Sequence, residues 1–207
     1  MPADQESELL GRLAQAKVLP VLRAGSAAEG TAQVQRCVLA GLDVIELTTT
    51  VPGWPQVLAE ARASFPGTMF GVGTVLTAAD ANTAIAGGAD FLVSPCPAPS
   101  VRRMAAGRLP FIEGGMTVRE VLAASRRGIA KLFPAHVGGP QFLRSVLALS
   151  PTAYIIPTGG IAVSAAAEWL SAGALAVGVG RDLLSEPDLS AAIRNLIEGD
   201  RNETAHQ

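Results

Sequence analysis

Two charged residues stand inside apolar stretches where a charge is costly. Lys131 lies within Ile129-Ala130-Lys131-Leu132-Phe133-Pro134, and Glu46 within Val44-Ile45-Glu46-Leu47-Thr48. The chain has only two lysines against fourteen arginines, and the other, Lys17, ends the first amphipathic stretch. Burying an ammonium is unfavourable unless it is paired or neutralised. An apolar setting disfavours the charged form of a lysine. A neutral amine can attack a carbonyl carbon and form a Schiff base. A carboxylate beside it can move protons on the bound carbon chain. A structural ion pair between the two residues explains the same pattern, as does a strand-end lysine whose head reaches water.

Other polar residues also end apolar runs. Gly71-Val72-Gly73-Thr74 offers a close backbone approach and a hydroxyl for a carboxylate. It also fits a tight turn with a helix cap. Pro157-Thr158-Gly159-Gly160-Ile161 and Gly178-Val179-Gly180-Arg181 are glycine-rich turns. Their backbone N–H groups suit an anion, and Arg181 adds a guanidinium fork matched to phosphate. Arg23 closes the first apolar run, either towards a substrate carboxylate or as a surface arginine, and His136 follows the sixth where an entrance would be.

The elements that must position these residues alternate along the whole chain. Eight β-rich runs cover 18–23, 43–48, 68–74, 90–94, 109–114, 129–134, 153–158 and 175–180. Helical stretches follow at 27–40, 54–64, 78–86, 100–106, 118–126, 141–149, 164–172 and 189–197. Near-continuous apolar strands imply a sheet covered on both faces. Strict βα alternation implies parallel strands, and eight units favour closure into a (β/α)8 barrel, a TIM barrel, over an open sheet. Gly41, Gly88 and Gly173 each fit a helix end before the next strand. Residues 4–16 form an extra N-terminal helix capping the barrel's bottom. Residues 1–207 are expected to be one domain, with 1–16 as that helix and 200–207 as a frayed polar tail.

Composition narrows the function classes. Charged residues are 16% and apolar ones 49%, so much of the surface is buried, partly against other copies of the chain. A net charge of −2 gives no basic footprint for nucleic acid or an anionic membrane. Apolar runs stop short of a membrane span. The acidic N-terminus (Asp4, Glu6, Glu8) is unlike a signal peptide, so a cytoplasmic location is expected. Cys37 and Cys96 are far apart and read as buried free thiols. With two histidines, His136 and His206, a histidine-based metal site is not expected.

Taken together, these segments resemble the 2-keto-3-deoxy-6-phosphogluconate / 4-hydroxy-2-oxoglutarate aldolase family over about residues 15–185. The carrying stretches are Val18-Leu19-Pro20-Val21-Leu22-Arg23, Ile45-Glu46-Leu47-Thr48, Gly71-Val72-Gly73-Thr74-Val75, Phe91-Leu92-Val93-Ser94-Pro95, Lys131-Leu132-Phe133-Pro134-Ala135, Gly139-Pro140-Gln141-Phe142 and Pro157-Thr158-Gly159-Gly160-Ile161. The resemblance implies a (β/α)8 barrel assembled as a homotrimer. It implies Lys131 as the Schiff-base lysine, Glu46 as the proton shuttle and Thr74 as the pyruvate-carboxylate ligand. It also implies packing of Pro95 and Phe133 around pyruvate, and a phosphate loop at Gly159 and Gly160. No metal or other cofactor is implied, because a protonated Schiff base polarises the substrate itself.

Three positions depart from the family pattern. Thr50 stands where many members carry an arginine four residues after the glutamate. Glu113-Gly114 replaces Pro-Gly, which is expected to bring a second carboxylate near the mouth. Arg181 replaces a small residue. The expected function is a class I aldolase yielding pyruvate and glyceraldehyde 3-phosphate, or pyruvate and glyoxylate. Action on the galactonate epimer or an unphosphorylated 2-keto acid is the nearest alternative. A phosphosugar isomerase using the same acid–base pair and a non-catalytic phosphoacid-binding barrel are the rivals from other classes.

Overall fold

The structure, a computed structural model, describes residues 2–204. Helix α1 (Pro2–Ala16) precedes eight strand–helix units. The strands are β1 (Val18–Leu22), β2 (Val44–Thr48), β3 (Met69–Gly73), β4 (Phe91–Val93), β5 (Phe111–Gly115), β6 (Ala130–Leu132), β7 (Ile155–Pro157) and β8 (Val177–Val179). All are parallel, with sheet order β7-β6-β5-β4-β3-β2-β1-β8. A bridge from Thr158 to Gly178 joins β7 to β8 and completes the ring. The expected (β/α)8 barrel is therefore the observed fold.

The helices are α2 (Ala27–Leu39), α3 (Trp54–Ser64), α4 (Ala78–Ala86), α5 (Pro99–Ala105), α6 (Val118–Ser125), α7 (Gly139–Leu149), α8 (Ala166–Ser171), α9 (Arg181–Ser185) and α10 (Leu189–Thr204). Starts follow local capping chemistry. The side chains of Ser26, Thr77 and Thr117 accept from the N–H groups of Glu29, Asp80 and Glu120. The expected glycine exits are left-handed, with φ of +91° at Gly41, +80° at Gly88 and +98° at Gly173. The last helix runs to Thr204, so 200–204 is helical where a frayed tail was expected; 205–207 lie outside the described residues. The five-residue α9 and the 3-10 turns Ala135–Val137 and Val163–Ala165 were not foreseen.

Strand alternation divides the core into two layers. Leu19, Val44, Phe91, Ile112, Ile129 and Ile156 point into the lumen. Leu9 and Leu13 of α1 join that cluster and are fully buried, so α1 stoppers the N-terminal end as expected. Residues of opposite parity, such as Leu22, Leu47, Val72 and Leu92, pack against the helices. Among the described residues no helix is long and apolar enough to cross a membrane.

Candidate active site

β2 and β6 lie four strands apart in an eight-stranded ring, so their lumen residues face each other. Glu46 shares the lumen face with Val44, and Lys131 shares it with Ile129. The two side chains meet. Lys131 Nζ lies 3.1 Å from both Glu46 oxygens. Glu46 is 0% and Lys131 4% exposed, which excludes the strand-end lysine with its head in water. At this distance Glu46 is placed to exchange a proton with Nζ.

Missing side chains make this contact possible. Gly73 on β3 pairs with Thr48 on β2, and a Cβ at Gly73 would lie 2.0 Å from Glu46 Oε1. Gly114 on β5 is in register with Lys131, and a Cβ there would lie 2.4 Å from the Ser94 carbonyl oxygen and the Pro95 carbonyl carbon. Pro95 thus packs against β5 beside the lysine. The Phe133 ring centroid lies 5.9 Å from Lys131 Nζ. The same ring lies against Gly159, where an added Cβ would be 2.9 Å from it.

Thr74 leaves β3 with φ +59°. Such backbone is unfavourable for a β-branched residue and marks functional positions. Its carbonyl accepts from Thr49 Oγ1 at 2.9 Å, and its hydroxyl accepts from Arg23 Nη2 at 3.2 Å. Arg23 Nη1 donates to Thr50 Oγ1 at 3.3 Å. Arg23 therefore reaches across to Thr50, one of the three departures named above. Thr74, Arg23 and Thr50 form one polar group above the lumen.

Arg181, exposed, opens α9 directly after Gly180 and lines a cleft of about 410 Å³ with Arg23, Gln33 and Arg36. Arg36 is committed to the carbonyls of Leu184 and Glu186. Among the described residues, Arg181 makes no bond to the Gly159-Gly160 turn. Its neighbour Asp182 does bridge towards that loop, accepting the Val163 N–H at 2.6 Å. Gly159 and Gly160 have φ of +99° and +68°.

Two expectations need correction. Glu113 does not face the mouth. Its parity opposes that of lumen residue Ile112, and its carboxylate binds the Ala98 N–H and pairs with Arg102 and Arg127 between β5 and the helices. Its geometry gives it no contact with Lys131. Cys37 is buried as expected, but Cys96 is exposed. Burial pushes the Cys37 thiol up to about 12, partly offset by Arg36.

One residue was passed over. Thr158 is 4% exposed, and its Oγ1 has no hydrogen-bond partner. It fills the space over Gly178, where an added Cβ would lie 2.1 Å from that hydroxyl. A buried hydroxyl without a partner is unfavourable, and this one shares the lumen parity of Ile156. That parity was readable in advance, although threonine fits any strand position.

A pair of opposite charges sealed in the lumen of a βα barrel, midway along β2 and β6, is suited to carbonyl chemistry on a lysine amine. The chain belongs to the KDPG and KHG aldolase family, whose model matches residues 10–195. It is thus an aldolase, a carbon–carbon lyase. It is 31% identical over 163 residues to the 2-dehydro-3-deoxy-phosphogluconate aldolase of Treponema pallidum, covering 77% of this chain and 78% of that one. It is 29% identical over 171 residues to the 2-dehydro-3-deoxy-6-phosphogalactonate aldolase of Escherichia coli, covering 80% and 83%. The KDPG aldolase of Legionella pneumophila, solved with pyruvate captured as a covalent carbinolamine intermediate, superimposes with a TM-score of 0.77 at 26% identity, covering 91% of this chain and 95% of that one.

Proposed function

We propose that the chain cleaves 2-keto-3-deoxy-6-phosphogluconate to pyruvate and glyceraldehyde 3-phosphate, and 4-hydroxy-2-oxoglutarate to pyruvate and glyoxylate, through a Schiff base on Lys131. The buried contact between Lys131 Nζ and the Glu46 carboxylate carries this reading. Lys131 gives up a proton and adds to the C2 carbonyl of the keto acid. The carbinolamine loses water to form a protonated Schiff base. Glu46 removes the C4 hydroxyl proton as the C3–C4 bond breaks, and the electron pair of that bond flows into the iminium. The aldehyde leaves, and Glu46 returns the proton to C3 of the enamine. Water then releases pyruvate and frees the amine. Thr74 and Arg23 hold the carboxylate, and Pro95 and Phe133 pack around the pyruvyl unit. The Gly159-Gly160 turn, with Gly180 and Arg181 across the mouth, receives the phosphate. No cofactor enters these steps.

Incubation with pyruvate and borohydride is expected to leave a reduced adduct on Lys131, detected by mass; an unmodified Lys131 excludes the mechanism. Glu46→Gln is expected to retain the adduct while turnover falls about 10²–10⁴-fold. Unchanged turnover would remove Glu46 from its role.

The galactonate epimer is a second reading, supported by the comparable identity to the Escherichia coli phosphogalactonate aldolase. Thr158, with its unpartnered hydroxyl, is available to a substrate hydroxyl. Pyruvate release from both epimers, with and without phosphate, distinguishes the readings. We assign a cytoplasmic homotrimer, supported by the family resemblance and by Leu76, Met116 and Val137, which are 49%, 41% and 58% exposed on loops after β3, β5 and β6. Light scattering is expected to give three times the 21.2 kDa chain mass.

A further inference from the structure

His136 sits where the loop after β6 meets the loop after β7. The Ala135 N–H donates to the Thr158 carbonyl at 2.8 Å, and the His136 N–H donates to the Gly159 carbonyl at 3.2 Å. The imidazole lies over the same turn. Its Nδ1 is 3.1 Å from the Gly159 oxygen. A Cβ on Gly160 would lie 2.6 Å from Nδ1 and 2.7 Å from Cγ, so the glycine leaves room for this ring. A carbonyl oxygen only accepts, so the contact requires a proton on Nδ1. In the neutral ring Nε2 is then bare; in the charged ring it gains a proton and becomes a donor.

We infer that His136 is a specificity-determining residue, supplying a charge-assisted Nε2–H bond to the distal anionic group of a phosphorylated substrate on the Gly159-Gly160 turn. The inference rests on the phosphate reading of that turn. The loop bearing the ring and the turn beneath it, residues 133–140 and 157–165, hold no other ionisable side chain. The charged groups on neighbouring elements are Arg144 on α7, Glu168 on α8, Arg181 and Asp182 on α9, and Lys131 on β6; Asp182 is bonded to the Val163 N–H and Lys131 is paired with Glu46. Among the described residues no carboxylate lies within ion-pair distance of the imidazole, so an incoming anion is its counterpart.

The test is KM for the phosphorylated keto acid and its unphosphorylated analogue, at one fixed pH, in the parent protein and in His136→Asn. Asparagine keeps a donor for the Gly159 carbonyl but has no second ring nitrogen and no charge. For the phosphorylated substrate the variant-to-parent KM ratio is expected near 10, about one charge-assisted bond's worth, with kcat held within about twofold. For the analogue the ratio stays near 1. A phosphorylated-substrate ratio near 1, or a loss in kcat instead, overturns the inference and leaves the phosphate reading standing. If the parent protein itself shows no KM preference for the phosphorylated substrate, the phosphate reading fails.

Discussion

At the scale of single residues, the site depends as much on absent atoms as on present ones. Gly73 has no side chain, and the Glu46 carboxylate occupies the space. Gly73→Ala would drive a methyl group into Glu46 Oε1 and push the carboxylate off Lys131. We expect turnover on 2-keto acids to fall about 10²–10⁴-fold, as for loss of the general base, while the lysine still forms its adduct with pyruvate. The thiols give a second expectation. Burial and a raised thiol make Cys37 inert, so a thiol reagent should modify Cys96 alone in the native protein and both after denaturation. Lys131 and Glu46 were legible because each interrupts an apolar strand. Glu113 interrupts one equally, and only its parity against Ile112 separates it from a lumen residue. The exposure of Cys96 follows from a loop path that spacing does not encode.

At the scale of elements, side-chain caps start α2, α4 and α6. The Thr117–Glu120 capping box starts α6, and Thr117→Ala is expected to cost about 1 kcal/mol in denaturant unfolding. The Glu120 carboxyl is held below its ordinary range by the N–H groups of Thr117 and Met116, then by the Thr117 hydroxyl. A carboxyl depressed in the folded state stabilises above its unfolded value and loses that contribution as pH falls through its folded one. Stability should therefore decline on the acid side, and Glu120→Gln should flatten that part of the profile. Strands and long helices were readable because hydrophobic period and glycine exits agree along the chain. α9 was not, because five residues carry too little periodicity. The extension of α10 to Thr204 was missed because Gly199 reads as a stop signal, yet the helix continues through it.

At the scale of the whole molecule, the barrel is closed at one end by α1 and reinforced outside the lumen by Glu113. Leu13→Ala, at a fully buried position, is expected to cost about 2–5 kcal/mol. Glu113→Ala removes the acceptor of the Ala98 N–H and is expected to cost about 1–3 kcal/mol, with pyruvate trapping on Lys131 unchanged. Closure into a ring could be counted from eight strand–helix units, but the joint that closes it could not. β7 and β8 are fastened by one bridge from Thr158 to Gly178 and by the bond from the Leu175 N–H to the Ile155 carbonyl. The seam of the hoop thus runs out between the two glycine turns at its upper edge. A molecule anchored on both turns would work as a clasp across that seam. In melting experiments at equal saturation, glyceraldehyde 3-phosphate should raise the midpoint of the borohydride-reduced pyruvyl protein, and the unphosphorylated aldehyde should leave it where it was.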